Sequence, residues 1–367
     1  MTLTNNLKSI YSKEQYSARQ AQELAHIYSF GAIVFQVSRL LIKYGILELL
    51  GSSKNGLTES VISEKTGLRP YAVKCLLESA LTMHLILINP ENNHYSLAKT
   101  GWFLQHDAMI RADIDFNHDV NYEGWFKLDE AIETGKPAGL RHFGDWGTIY
   151  EGLSSLPKQV QKSWFGFDHY YSDHSFDEAL ALIISRKREP QILDVGGNTG
   201  RFALKCVENN PNIRVTICDL PQQIALMHQA VSGHNGIERI DAAPMNLLDP
   251  NQTFPTDKHY DVIWMSQFLD CFGEEEIISI LSRVAKILDR DSRIYIMETL
   301  WDRQQYPAAA FCLTQTSLYF TALANGNSKM YNTDDMTRLI QSAGLTIETI
   351  HDNIGQGGHS ILIVKSK

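Results

Sequence analysis

Residues 191–221, QILDVGGNTGRFALKCVENNPNIRVTICDLP, decide the fold of this protein. The segment opens with an apolar strand over Gln191–Val195, continues through the loop GGNTG at 196–200, and then enters a helix. A second strand closes at Asp219. Glycines permit a sharp turn and let a ligand approach the backbone. Loops of this kind at the carboxyl end of the first strand of an α/β sheet form nucleotide sites.

The sequence on both sides of this segment alternates between strands and helices. Helices fit the gaps between the strands, most clearly at 274–288 and 333–343. The predicted strands cover 191–195, 213–218, 237–241, 261–266, 292–298, 345–351 and 359–365. This alternation predicts an α/β domain with a doubly wound, mostly parallel seven-stranded sheet and helices on both faces. Only residues 351–358 separate the last two strands, which is too short for a crossover helix, so the final strand should be antiparallel.

The first half of the chain is predicted to be mainly helical. Helical apolar spacing runs over 15–50, and the stretch Phe30–Leu50 is predicted to be a buried amphipathic helix. Thr58 is a good N-cap, and Gly67 separates two short helices, of which Pro70 opens the second. A strand at 85–88, a turn and a strand at 95–97 complete a winged-helix pattern. We therefore expect three parts: a winged-helix-like dimerisation domain over 1–105, a helical connector over 106–185 that contributes to an acceptor pocket, and the α/β domain over 186–367.

Composition excludes several classes of protein. The 367 residues carry 33 Lys and Arg against 42 Asp and Glu, a net charge of −9 that argues against nucleic-acid wrapping. The five cysteines form no CxxC motif, which favours reduced thiols and a cytoplasmic location. Arg39 and Lys43 interrupt the most apolar early stretch, which argues against a membrane span, and the N-terminus lacks the apolar region of a signal peptide. No HExxH or HxH motif indicates a metal site.

Two kinds of ligand compete for the glycine-rich loop. A dinucleotide site has the spacing GxGxxG, with a helix N-terminus facing a pyrophosphate. Here the spacing is GGxxG, and Asp194 lies two residues before it. A carboxylate at that point repels phosphate but suits an ammonium or sulfonium group. S-adenosylmethionine carries both groups and no phosphate, and Asp219 could accept the hydroxyls of its ribose, so the loop favours this cofactor.

At these residues the chain resembles the class I S-adenosylmethionine-dependent methyltransferases, specifically the caffeate and hydroxyindole O-methyltransferase type. The family sequences LVDVGGGTG and FDLP stand here as ILDVGGNTG and CDLP, and MSDHS stands as YSDHS over 171–175. The resemblance covers nearly the whole chain and implies a homodimer, a small-molecule acceptor, and no nucleic-acid or membrane partner. The cofactor-binding residues that it implies, together with those from the loop, are Ser175, Asp194, Gly196, Gly197, Asp219, Leu220, Asn246, Leu247 and Ser266. Asn246 stands near the family's acid that contacts adenine, and Ser266 stands where the family has a lysine.

The catalytic positions depart from the family pattern. The resemblance aligns the family's base histidine with Asp270, in MSQFLDCFGEEE, and its two supporting glutamates with Glu298 and Met330. Asp270 and Glu298 are therefore the predicted catalytic residues. A buried Asp270 could accept a proton from an acceptor hydroxyl, since burial raises a carboxyl pKa toward that of the hydroxyl. Alternatively, Asp270 caps the following helix.

The acceptor pocket is implied by the same resemblance. Its predicted residues are Phe167, Tyr171, His174, Phe268, Thr321 and Asn325. Tyr171 and Thr321 replace methionines that clamp an aromatic ring in the family, which indicates a more polar pocket. The predicted function is methyl transfer to a hydroxyl of a small, aromatic molecule. The alternatives are a cofactor-binding relative with lost or altered methyl transfer, and a winged-helix regulator that senses a small molecule.

Overall fold

The computed structural model describes residues 5–356 and 358–367, with the side chains of 5–7 and of Tyr171 outside the description. The chain forms two compact units, of which one is Ser9–His118 and the other has Asp119–Lys367 as its body. The three-part division at 105 and 185 stays a prediction.

The unit Ser9–His118 is mainly helical, as predicted. After the opening helix α1 (Asn5–Tyr11) its elements are α2 (Ala18–Ser29), α3 (Gly31–Lys43), α4 (Ile46–Ser52), α5 (Glu59–Thr66), α6 (Pro70–Thr82), β1 (Ile86–Ile88), β2 (Tyr95–Leu97), α7 (Lys99–His106) and α8 (Ala108–Phe116). The Thr58 side chain accepts a hydrogen bond from the Val61 amide at the start of α5. Strands β1 and β2 pair as an antiparallel hairpin, as predicted from the sequence.

The predicted buried helix at Phe30–Leu50 is wrong in two respects. Gly45 adopts a φ of +68°, which ends α3 and starts α4 in a new direction. Phe30 and Ile33 are 63% and 56% exposed, whereas Leu41 and Leu47 are fully buried. Apolar content alone does not show which side of a helix the same chain covers. No single helix among the described residues is long and apolar enough to cross a membrane; the bent pair α2 and α3 passes that test together, by length and composition only.

The larger unit begins with helices and continues as the predicted α/β domain. Its helices are α9 (Leu128–Thr134), α10 (Ile149–Gly152), α11 (Lys158–Asp173), α12 (Phe176–Arg186), α13 (Arg201–Asn209), α14 (Pro221–Val231), α15 (Glu274–Ala285), α16 (Pro307–Tyr319) and α17 (Thr333–Ser342). Its strands are β3 (Gln191–Val195), β4 (Arg214–Asp219), β5 (Ile240–Pro244), β6 (Val262–Ser266), β7 (Arg293–Glu298), β8 (Leu345–Ile354) and β9 (His359–Ser366). The strand predicted at 237–241 begins at Ile240, because Ile237–Arg239 form a 3-10 turn after Gly236, whose φ is +87°.

The seven strands form one sheet in the order β5-β4-β3-β6-β7-β9-β8. Strand β9 inserts between β7 and β8 and is antiparallel to both, which confirms the predicted antiparallel final strand. All other pairs are parallel. The strand order reverses between β3 and β6, and the carboxyl ends of strands at such a point are where α/β sheets bind ligands.

Both faces of the sheet are covered, as predicted. Successive side chains of a strand point to opposite faces. In β3, Leu193 and Val195 join a core built with α15 and α17, whereas Ile192 joins a core built with α12, α13 and α14. Asp194 is the exception, because a carboxyl takes the place of an apolar side chain on a buried strand.

Candidate functional site

The glycine-rich loop is tightly packed against its surroundings. Gly196 has a φ of +77°, and a Cβ at this position would lie 2.2 Å from Cδ2 of Phe268. A Cβ at Gly197 would lie 2.8 Å from Oδ2 of Asp194. Only glycine fits both positions, so the loop can pass closely over the end of β3 before α13 begins.

Asp194 is a buried acid at the end of β3. Its side chain is 2% exposed, and its Oδ2 has no hydrogen-bond partner among the described residues. Burial, and then the negative charge of Asp219, raise the pKa of Asp194 to about 8. A buried carboxyl of this kind is stabilised in its charged form by a cation.

Asp219 lies at the end of β4, beside the loop. Its Oδ2 accepts a hydrogen bond from the Asn198 amide at 2.9 Å, and its Oδ1 accepts one from the Leu220 amide at 2.7 Å. These bonds fix the carboxylate and leave each oxygen one further lone pair. Burial raises its pKa against the lowering effect of the two amides.

A cleft opens beside Asp194, between the loop, the end of β6 and the last turns of α11. Its lining residues are Asp168, His169, Ser172, Asp173, Phe176, Asp194, Gly196, Gly197, Asn198, Thr199, Arg201, Phe202, Trp264, Ser266 and Gln267. Four residues predicted to bind the cofactor therefore line one cleft: Asp194, Gly196, Gly197 and Ser266. Asp219 borders it through the hydrogen bond to Asn198.

Buried polar atoms without partners gather at this cleft. Five of its lining residues carry one, counting hydrogen-bond partners among the described residues only. These atoms are Nε2 of His169, Oδ2 of Asp194, Oδ1 of Asn198, Oγ of Ser266 and Oε1 of Gln267. Buried polar groups in folded proteins are almost always hydrogen-bonded, and exceptions mark places where a ligand or water binds. The cleft is therefore built for a polar ligand.

The other residues predicted to bind the cofactor lie elsewhere. Asn246 is exposed after β5, with its Oδ1 accepting from the Leu248 amide at 3.0 Å. Leu247 is buried, and its carbonyl accepts a hydrogen bond from Arg283. Ser175 is fully buried between α11 and α12, where its hydroxyl lies 2.9 Å from Nδ1 of His359.

Glu298 and Asp270 form a buried acidic pair behind the end of β6. Glu298 ends β7 at 2% exposure, and its Oε1 accepts from the amides of Phe268 and Leu269 at 3.1 and 2.8 Å. Asp270 is 5% exposed in the 3-10 turn Leu269–Cys271. Burial raises the pKa of Asp270 to about 6. Burial and the charge of Asp270 raise the pKa of Glu298 well above its usual range, so Asp270 ionises first.

These contacts assign Glu298 the task of holding the turn that carries Asp270. We expect Glu298→Ala to destabilise the protein by about 2–4 kcal/mol, because two buried amides lose their acceptor. Glu298→Gln keeps an acceptor oxygen and should cost less than half as much. Denaturant unfolding of the two variants measures the difference. Equal stability of the wild type and Glu298→Ala would contradict this assignment.

Asp270 also acts on the groups around it. Its charge contributes, after burial, to raising the pKa of Asp168 in the cleft to about 7. The pKa of the neighbouring Cys271 thiol is raised well above its usual range by burial and then by Asp270, so this thiol stays protonated at neutral pH. The pKa of the Tyr150 hydroxyl is also raised, mainly by burial and in smaller part by Asp270. Asp270 and Glu298 therefore belong to a buried, acidic region adjoining the cleft.

The residues predicted to line the acceptor pocket are placed as follows. Phe268 is buried, packs against Gly196, and contacts Phe272 edge to face at 4.8 Å between ring centroids. The Asn325 side chain donates to the Cys271 carbonyl at 2.6 Å and accepts from the Ser328 amide at 3.1 Å, so it ties its loop to the turn with Asp270.

The remaining acceptor-pocket predictions lie on two helical segments. Thr321 is half-buried, and its hydroxyl donates to the Ser317 carbonyl at 3.1 Å. Phe167 is half-buried in α11. His174 is exposed after α11, with its Nδ1 2.8 Å from the Tyr170 carbonyl, and is not among the cleft residues. Tyr171 lies in α11, but its side chain is outside the described part of the structure.

Sequence reasoning missed the cleft residues of α11 and the first residue of α13. Asp168, Ser172 and Asp173 follow i, i+4, i+5 spacing and so share one helical face with His169. That polar face within an aromatic helix was the available signal. Nothing about Arg201 in the sequence distinguishes it from a surface residue.

Comparison with known proteins agrees with this geometry. Residues 22–95 match the family model of the Dimerisation2-like domain, and residues 193–294 match that of a methyltransferase domain. The chain is similar to acetylserotonin O-methyltransferase of Bos taurus, with 23% identity over 292 residues, which are 75% of this chain and 79% of that protein.

Two solved structures share the fold. One is the S-adenosylmethionine-dependent methyltransferase SibL in its apo form, with a TM-score of 0.70, 20% identity, and coverage of 93% of this chain and 98% of that one. The other is an O-methyltransferase from neocarzinostatin biosynthesis in complex with S-adenosylmethionine and 2-hydroxy-5-methyl naphthoic acid. It has a TM-score of 0.66 and 18% identity, and the match covers 91% of this chain and 96% of that one.

The fold, the glycine-rich loop and these matches define a class I S-adenosylmethionine-dependent methyltransferase. With a Dimerisation2-like match followed by a methyltransferase match, the chain resembles the O-methyltransferases of the hydroxyindole type. The resemblance predicted from the loop is confirmed.

Proposed function

We propose that this protein transfers the methyl group of S-adenosylmethionine to a hydroxyl of a small, aromatic acceptor. The observation that carries the proposal is a cluster of five buried polar atoms in the cleft that have no partners among the described residues, one of them on the buried acid Asp194 at the end of β3. The acceptor class is supported by the relatives, one of which acts on acetylserotonin and another of which was solved with a naphthoic acid.

The residues of the cleft fit this cofactor. Asp194 would attract its sulfonium group, since the carboxyl is buried and its Oδ2 has no hydrogen-bond partner among the described residues. Asp219, held in place by two amides, would accept the ribose hydroxyls with its remaining lone pairs. We place Leu220, Asn246 and Leu247 around the adenine and Ser266 near the sulfonium end. The bound cofactor supplies an electrophilic methyl group on sulfur.

The protein's own part in the reaction is to align the acceptor and to receive its proton. Alignment provides much of the rate of a direct displacement. Asp270 would take the proton. Its pKa of about 6 lies closer to the pKa of an acidic phenol than the usual aspartate pKa of 3.8 does. Glu298 holds the turn of Asp270, and Asn325 ties the neighbouring loop to that turn. Phe167, Tyr171, His174, Phe268 and Thr321 would complete the acceptor pocket.

Titration calorimetry tests the cofactor assignment. We expect S-adenosylmethionine to bind with a dissociation constant in the micromolar range, about −8 kcal/mol. NAD should not bind, because its pyrophosphate would meet Asp194. Tight binding of NAD, or no binding of S-adenosylmethionine, would refute the proposed function.

We also infer a homodimer. Four exposed apolar side chains, Ile27, Tyr28, Phe30 and Ile33, lie around the junction of α2 and α3, within the segment that matches the dimerisation model. Light scattering should give twice the chain mass of 41.5 kDa. Ile33→Asp should shift the mass toward the monomer, whereas Leu87→Asp, at an exposed leucine of the hairpin, should not. A wild-type monomer at micromolar concentration would contradict the dimer.

The cellular location is inferred from the thiols. Cys206 and Cys218 are buried and form no disulfide. Free thiols persist in a reducing compartment. We infer a cytoplasmic protein.

A further inference from the structure

One ion pair lies in the lining of the cleft. Asp173, at the end of α11, accepts a hydrogen bond from Nη1 of Arg201, at the start of α13. Both residues line the cleft. Their side chains are 32% and 50% exposed, so solvent or a ligand can reach both.

Arg201 is the only lysine or arginine among the described residues that line the cleft. Burial, and then the positive charge of Arg201, lower the pKa of His169. The same charge opposes burial, Asp270 and Asp173, which together raise the pKa of Asp168. Ser266, which stands where the family resemblance implies a lysine, brings no charge. Any anionic group in this cleft therefore has Arg201 as its one cationic partner.

The cleft and its border carry polar groups of two kinds. Asn198 links the loop to Asp219, the predicted ribose partner, at one border. Asp173 and Arg201 lie in the lining on the side of α11 and α13. A ligand whose ribose binds Asp219 therefore has Asp173 and Arg201 in the same cleft for its other polar groups.

We propose that Arg201 and Asp173 act as a clamp for the zwitterionic amino-acid end of the cofactor, with Arg201 binding the carboxylate and Asp173 the ammonium group. This inference rests on the proposed cofactor. The planar guanidinium matches a carboxylate with two parallel hydrogen bonds. In the free protein the two side chains neutralise each other, and an exposed ion pair of this kind is weak enough to be exchanged for a ligand. The clamp makes affinity depend on the amino acid as well as on the nucleoside.

Calorimetry with three probes tests the clamp: S-adenosylmethionine, its decarboxylated form, and 5′-methylthioadenosine, which lacks the amino-acid end. Arg201→Ala should weaken binding of S-adenosylmethionine by about 10- to 100-fold, through loss of charged hydrogen bonds. It should leave the affinities for the other two probes within about twofold. Asp173→Asn should weaken binding of the decarboxylated form, which keeps the ammonium group, and leave 5′-methylthioadenosine unchanged.

Lys205→Ala is the matched control. Lys205 lies one turn along α13, pairs with the exposed Asp177 at 2.6 Å, and is not among the cleft residues. Its loss should leave all three affinities unchanged. Arg201→Gln keeps a long polar side chain and provides a second variant should Arg201→Ala unfold; it should reproduce the selective loss.

Two results would overturn the clamp. One is an equal loss of affinity for all three probes in both Arg201 variants, which would assign the pair a purely structural role. The other is unchanged binding of S-adenosylmethionine. Failure of the wild type to bind S-adenosylmethionine would instead refute the proposed function, and the clamp with it.

Discussion

Asp194→Asn is expected to abolish cofactor binding and, at the same time, to stabilise the free protein. The unfolded chain loses the Asp194 proton near the usual pKa of 3.8, whereas the folded chain keeps it up to a pKa of about 8. Its contribution to stability is therefore complete below pH 3.8 and is lost as the pH rises through 8. Asparagine has nearly the same size and no charge to bury, so it avoids this loss. We expect a gain of about 3–5 kcal/mol at pH 8.

Thermal unfolding with and without S-adenosylmethionine measures both effects. The melting temperature of the free Asp194→Asn protein should rise by about 10 °C at pH 8 and by less at pH 5. The cofactor should raise the melting temperature of the wild type but not that of the variant.

Asp219→Asn is the matched control for Asp194→Asn. It should also weaken cofactor binding, but without the large stability gain, because the amide can accept only one of the two backbone hydrogen bonds that the carboxylate accepts. A less stable Asp194→Asn protein, or one that binds S-adenosylmethionine normally, would show that Asp194 has a structural task.

Asp270→Asn is expected to lower the rate of methyl transfer by about 10²–10⁴-fold, the usual effect of losing a general base. The variant keeps the size of the side chain and loses the ability to accept a proton. Cofactor affinity should stay unchanged, since Asp270 is not among the residues that line the cleft. The wild-type rate should rise with pH through about 6, as Asp270 ionises, and this inflection should be missing from the variant.

A substrate screen with phenols of different acidity precedes this test. Asp270→Glu, which retains a carboxylate, should recover part of the rate. Asp270→His should raise turnover of simple catechols if the pocket is adapted to a more acidic acceptor, because a stronger base suits a less acidic hydroxyl. Near-full activity of Asp270→Asn would show that Asp270 only caps its turn. Rate would then come from alignment alone.

Local patterns were sufficient to predict the fold of the larger unit. Strands alternating with helices predicted seven strands, and the short link at 351–358 predicted the antiparallel β9. Boundaries failed where a glycine with positive φ redirects the chain, as at Gly45 and Gly236. Glycines mark turns in a sequence, but the direction of each turn depends on packing against the rest of the unit.

The sequence by itself determined the fold class and the end of β3 as the binding region, because strand periodicity, glycine spacing and an acid before the loop are local properties of the chain. The tertiary structure decided which side chains share the cleft. Asp168, Asp173 and Arg201 meet there only because α11 packs beside the glycine-rich loop. The tertiary structure also places Glu298 where it accepts hydrogen bonds from two backbone amides, and it buries Asp194, which raises the pKa of that carboxyl. Both effects arise from contacts between segments that are distant in the sequence.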